Sequence, residues 1–244
     1  MKEYDDFLNG ITFRYINPYL PLPRGYRFIP RFLSSCGFSL DFSLTRLPQD
    51  EEKIRNRLRE LCKIPRMSTF AIAAMINMGV ANMHKDHVFV NIGVWNGFTL
   101  LAGMVGNEDK KCIGVDNFSE FGGPRKAFMK RFDRLKSGDH SFYEVDYREH
   151  FAKPHKEPIG FYIYDGSHRY EDQLMGLRLA EPFMADNCII LVDDTNVDGP
   201  RRGTLDFIKN SRHEYRILLD RKTIWNGHPT YWNGIMVIEK VEPK

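Results

Sequence analysis

The stretch Pro158-Ile-Gly-Phe-Tyr-Ile-Tyr-Asp165-Gly-Ser-His168, with Cys188-Ile-Ile-Leu-Val-Asp193-Asp194-Thr-Asn196 some twenty residues later, decides how the chain folds. Two short apolar runs, Ile159–Tyr164 and Cys188–Val192, each stop abruptly at carboxylates. Between them, Leu174, Leu177, Leu179 and Phe183 fall near helical spacing, which predicts a helix over Tyr170–Met184. Strand, helix and strand in that order form a right-handed crossover that sets neighbouring strand ends side by side. Asp165, Asp193 and Asp194 are thus expected to converge at the carboxyl edge of a parallel sheet, where open α/β folds hold ligands.

The same alternation extends in both directions. Val88–Ile92, Lys111–Val115 and Ser141–Val145 read as strands, separated by helices to about Val105 and over Pro124–Lys136. In the second helix Phe128, Phe132 and Leu135 face inward. Downstream, Pro200–Ser211 reads as a helix, and Tyr215–Leu219 with Tyr231–Glu239 as two strands joined by a hairpin-like loop. The expected fold is a Rossmann-like, doubly wound α/β sheet of seven mostly parallel strands, with an antiparallel last strand at its end. Upstream, Glu51–Cys62 reads as a charged helix and Met67–Met83 as an apolar one ending near Gly79. Residues 1–60, with Tyr15, Tyr19, Pro21, Pro23, Tyr26, Phe28 and Phe32, lack periodicity yet are too apolar for a free linker. They are read as a lid or oligomerisation arm, the latter giving a homodimer, with 61–244 as the main domain.

At 244 residues the chain can hold one large core, and 42% apolar with 27% charged residues leaves little room for disorder. A net charge of +3 implies neither a nucleic-acid nor a membrane partner. Met1–Asp6 lacks a signal-peptide core, and Cys36, Cys62, Cys112 and Cys188 lack metal-type pairing, so reduced packing thiols in a cytoplasmic protein are expected. Likewise His84, His87, His140, His150, His155, His213 and His228 are read as surface or structural.

After the first strand comes Asn91-Ile-Gly93-Val-Trp-Asn-Gly97-Phe-Thr99. Gly93 permits a tight turn and Gly97 close backbone approach as the next helix starts. Asp116, ending the second strand, can accept both hydroxyls of a ribose, and Asp146, ending the third, can meet a purine amino group. The spacing G-x-x-x-G differs from the G-x-G-x-x-G of dinucleotide binders, which weighs against an NAD-dependent oxidoreductase on a similar sheet.

The order Gly93-x-x-x-Gly97, Asp116, Asp146, Asp165-Gly-x-His168-x-Tyr170, Asp193-Asp194 resembles the class I S-adenosylmethionine-dependent methyltransferases over roughly residues 67–240. Within them it is most similar to the macrocin O-methyltransferase-like group, which acts on sugars of natural products and shares metal ligation with catechol O-methyltransferase. The resemblance implies that the loop carrying Asn91, Gly93, Gly97 and Thr99 holds the methionine part of the cofactor and that Asp116 holds its ribose. Met67 and Ser68 match positions that close over the cofactor. Asp165, Asp193 and Asp194 match the ligands of a divalent cation, and this all-oxygen set suits Mg²⁺. His168 stands where catechol O-methyltransferase carries its basic lysine; a neutral imidazole suits proton abstraction, and Asp165 is the competing acceptor.

One departure stands out. The family carries an acid where this chain has Asn91, whose carbonyl oxygen can still accept a hydrogen bond. Weaker cofactor binding is expected, with a non-catalytic binding subunit as the alternative. Tyr170 is read as packing, Trp95 as facing either the cofactor or, more usually, the core, Asn196 as a metal-side or substrate contact, and Arg201 and Arg202 as a solvated helix end. The expected partner is a small-molecule hydroxyl acceptor, a sugar or vicinal diol able to chelate the cation.

Overall fold

The computed structural model describes residues 2–21, 39–153 and 157–241; Pro23, Tyr26, Phe28, Phe32, Cys36 and His155 lie outside them. The chain begins with α1 (Lys2–Gly10), β1 (Thr12–Phe13), α2 (Leu40–Leu44), β2 (Thr45–Arg46), α3 (Glu51–Leu58) and α4 (Phe70–Asn82). Alternation then sets in: β3 (Val88–Ile92), α5 (Phe98–Met104), β4 (Lys111–Val115), α6 (Arg125–Leu135), β5 (His140–Tyr143) and α7 (Tyr147–Phe151). It continues through β6 (Ile159–Tyr164), α8 (Tyr170–Ala180), β7 (Met184–Asp193) and α9 (Asp198–Asn210) to β8 (Tyr215–Arg221) and β9 (Ile235–Lys240).

The main sheet has seven strands in the order β5-β4-β3-β6-β7-β9-β8. All run parallel except β9, which is antiparallel to both its neighbours. The antiparallel strand is last in the chain but not at the edge of the sheet, as the hairpin reading had it. The crossover through α9 sets β8 two places beyond β7, and β9 returns into the gap between them. The β3–β6–β7 centre follows from burial on both faces. Phe89, Phe161, Ile163, Ile189 and Leu191 enter the core under α1, α4, α5 and α6. Their neighbours Val88, Val90, Ile92, Tyr162, Tyr164, Cys188, Ile190 and Val192 enter the opposite core under α7, α8 and α9. Period-two side-chain alternation turns each continuous apolar run into two half-layers.

The described part of residues 1–60 is built into the first of these cores. Tyr4, Phe7 and Leu8 of α1 are at most 2% exposed, and the Tyr4 hydroxyl donates to the Met75 carbonyl across 3.0 Å. Burying side chains such as Phe7 and Leu8 contributes roughly 1.5–3 kcal/mol each. Asp41 accepts the Phe70 N–H at 2.6 Å, capping α4 from a distant segment, and pairs with Arg66 at 2.8 Å. α4 runs on to Asn82, past Gly79, because Phe161 packs against Gly79 where any side chain would collide. Cys62, Cys112 and Cys188 are buried free thiols, and burial pushes Cys62 up to about 12. No helix among the described residues is long and apolar enough to cross a membrane.

Candidate active site at the carboxyl edge of the sheet

Strands β3, β4 and β6 all end on one cleft of about 750 Å³, within the size range of small-molecule sites. Its wall includes Met67, Ser68, Gly93, Trp95, Thr99, Asp116, Asp146, Asp165, His168 and Asp194. Asn91, Gly97 and Asp193 stand off this wall.

The glycine turn is held from two sides. Gly93 has φ +78°, and a Cβ there would sit 1.8 Å from the Asp165 carbonyl oxygen, so the ends of β3 and β6 touch. Gly97, φ +96°, makes its close approach to the Phe128 ring rather than to the cleft. Asp116 Oδ2 accepts from the N–H groups of Val94 and Trp95, both at 2.7 Å, and Oδ1 from Phe118 at 2.7 Å. Three of its four lone-pair sites are thereby engaged in fixing the loop. Asn91 donates to the carbonyls of Ile92 and Gly93, both at 3.1 Å, while its own Oδ1 is buried without a partner, as is Ser68 Oγ. Ser68 lines the cleft and Asn91 stands behind its wall, and buried oxygens without partners there fit a polar ligand end such as an ammonium or hydroxyl. Asp146 faces the cleft while capping α7 through the Arg148 N–H at 2.8 Å.

On the other side, ligand atoms of Asp165, His168 and Asp194 lie within 4.8 Å of one another. His168 Nε2 is 2.7 Å from Asp194 Oδ2 and 3.7 Å from Asp165 Oδ1. The Asp165 and Asp194 carboxylates beside it push the imidazole up to about 10, which favours the protonated ring at neutral pH. Burial raises Asp165 to about 6. Asp193 sits behind, 7% exposed, with Oδ1 accepting the Asp194 N–H at 2.8 Å. Burial, reinforced by the charges of Asp194 and Asp165, holds its carboxyl far above the usual range. The three predicted metal ligands are therefore not equivalent: two face one gap and the third backs it. Two carboxylates of adjacent strand ends converging on a single positive charge are a donor set that fits a hard divalent cation.

For some residues the sequence left the place open. Trp95, which could face the cofactor or the core, lines the cleft in a left-handed backbone conformation, its Nε1 donating to the Phe121 carbonyl at 3.1 Å. Trp232 and Asn233 arrive from the β8–β9 loop, and Asn233 donates to Asp194 Oδ1. The turn-forming Asn233-Gly234 pair ahead of the last strand was the available signal. Asn196, by contrast, is tied to Thr223 at 2.8 Å and does not line the cleft. Tyr170 packs at the surface, its hydroxyl on Asp206 at 2.9 Å, and Arg201 pairs with Asp220 at 2.6 Å.

Residues 90–195 match the family model described as a methyltransferase domain, spanning β3 through the Asp193–Asp194 turn. No curated protein sequence matches the chain. Among solved structures, a cofactor-bound protein from MTB is similar over 91% of this chain and 100% of its own, with TM-score 0.59 and 11% identity. An O-methyltransferase from Bacillus cereus in complex with SAH is similar over 87% and 97%, with TM-score 0.55 and 10% identity. TomG, an O-methyltransferase from Streptomyces achromogenes involved in tomaymycin synthesis and solved with SAM, is similar over 91% and 100%, with TM-score 0.53 and 10% identity. At such identities the likeness carries the fold, a Rossmann-like sheet. The match over residues 90–195 is to a methyltransferase domain, and neither a dinucleotide oxidoreductase nor a binding subunit is favoured.

Proposed function

We propose that the protein is an S-adenosylmethionine-dependent O-methyltransferase of the macrocin O-methyltransferase-like group. In this reading it methylates a hydroxyl of a small molecule, a sugar or vicinal diol, in the cytoplasm. The observation that carries it is the juxtaposition of the Gly93 turn with the Asp165–Asp194 gap in one cleft. Asn91, Ser68 and Thr99 hold the amino-acid end of the cofactor, and Asp116 takes one ribose hydroxyl with its remaining lone pair. Asp146 lies at the purine end. Transfer requires an oxygen in line with the sulfonium carbon at roughly 3–3.5 Å, and such positioning lowers the barrier by several kcal/mol.

Asp165 and Asp194 are the side chains that would hold Mg²⁺, with Asp193 behind them. A bound divalent cation supplies the charge that lowers the pKa of a ligating hydroxyl and fixes its oxygen. A second reading rests on His168, whose protonated ring already sits between the two carboxylates. There, the imidazolium fills the role of the cation, and Asp165, raised by burial to about 6, accepts the hydroxyl proton near neutral pH.

Calorimetry with S-adenosylhomocysteine against NAD separates the cofactor classes: binding of the first and not the second is expected. Labelled methyl transfer to a panel of sugars and diols, with EDTA and with added Mg²⁺, then separates the two readings. Transfer that persists in full under EDTA removes the metal.

A further inference from the structure

The loop between β8 and β9, residues 222–234, does more than wall the cleft. It is closed by a pair of main-chain bonds between His228 and Trp232, both at 3.0 Å, and presents Trp232 and Asn233 to the cleft. Asn233 is bonded through both ends of its side-chain amide and through its main-chain carbonyl. Its Oδ1 accepts the Gly227 N–H at 2.7 Å, its main-chain carbonyl accepts the Asn196 N–H at 2.8 Å, and its Nδ2 donates to Asp194 Oδ1. Gly234 next to it is pressed so close to Asn196 and Thr195 that a Cβ would lie 2.7 Å from Asn196 Oδ1. Loop and strand end are locked together at this point.

Asp194 is the group that needs such a lock. Its backbone is left-handed, φ 58°, which a β-carbon disfavours, and its carboxylate has two oxygens that could both turn toward the gap. The Asn233 amide occupies Oδ1, while Oδ2 meets His168 Nε2 at 2.7 Å. We infer that Asn233 is a positioning residue that fixes Asp194 to present a single oxygen to the gap, making the β8–β9 loop part of the cation-holding apparatus. This rests on the metal-dependent form of the proposed function. Outer partners that orient a ligating carboxylate tune affinity without touching the ion.

The test uses Mn²⁺ as the probe, followed by electron paramagnetic resonance, with S-adenosylhomocysteine affinity measured calorimetrically on the full chain. Asn233→Ala is expected to weaken Mn²⁺ binding roughly tenfold, the low end for outer-shell partners. Affinity for S-adenosylhomocysteine stays within twofold. Thr223→Val is the control for loop integrity: Thr223 Oγ1 lies 3.0 Å from both the Trp225 and Trp232 carbonyls, with one proton to share between them, and does not reach Asp194. It should leave Mn²⁺ affinity within twofold of wild type. Unchanged Mn²⁺ binding in Asn233→Ala overturns the inference, as does an equal loss in Thr223→Val. Wild-type protein that binds S-adenosylhomocysteine but no Mn²⁺ removes the metal reading and this inference with it. Failure to bind either ligand removes the methyltransferase reading itself.

Discussion

Gly93 and Asp165 are in backbone contact: a β-carbon on the first would stand 1.8 Å from the carbonyl oxygen of the second. This contact joins the turn after β3, where the cofactor is expected, to the end of β6, which carries the acid. Gly93→Ala must both clash with main chain and adopt φ +78°. A loss on the order of 3 kcal/mol or more is expected, from left-handed strain plus overpacking. Urea denaturation with an unchanged m-value measures it, and a variant as stable as wild type would show that the two strand ends are not held together.

Asp116 supports the same turn by accepting from Val94, Trp95 and Phe118. Hydrogen bonds to a charged acceptor contribute about 1.5–3 kcal/mol each, and these share one partly exposed carboxylate, so Asp116→Ala should lose roughly 3 kcal/mol in total. Affinity for S-adenosylhomocysteine should fall in parallel. A variant that loses affinity while keeping full stability would assign Asp116 to the ligand alone.

His168 gives stability a pH signature. Its pKa rises from 6.5 to about 10 on folding, through Asp165 first and Asp194 second. The favourable contribution is therefore complete below pH 6.5 and disappears as pH climbs through about 10. Melting temperatures of wild type and His168→Gln should differ most at the acid end of that window and converge at its alkaline end. A difference that stays constant with pH would mean that His168 is not protonated by folding.

The acids divide by environment. Asp165→Asn and Asp194→Asn are expected to reduce methyl transfer about 100-fold or more, as for groups that stabilise charge in the transition state. Cofactor affinity should stay near that of wild type. Asp193, whose carboxyl burial holds far above the usual range, should tolerate Asn with a stability change within about 1 kcal/mol, since the amide oxygen still accepts the Asp194 N–H. A large stability loss in Asp193→Asn would show that its carboxyl is ionised in the folded protein.

Much of this was legible in the residues. Ile159–Tyr164 and Cys188–Val192 could only be central strands, because continuous apolar runs that short bury both faces of a sheet. The strand ends at Asp116, Asp165 and Asp193 followed directly. The place of β9 was not legible, since pattern fixes which residues pair their faces but not which neighbour a returning strand finds.

Sequence alone determined the parallel sheet, the glycine turn and the presence of acids at the strand ends, since these follow from local periodicity and chain connectivity. Tertiary structure alone decided their division of labour. It turned Asp194 into the gap and Asp193 behind it, placed a protonated His168 between carboxylates, and brought Asn233 from 39 positions away to hold one of them. Such distinctions depend on side-chain direction and on burial by distant segments, and neither is written in the spacing of residues along the chain.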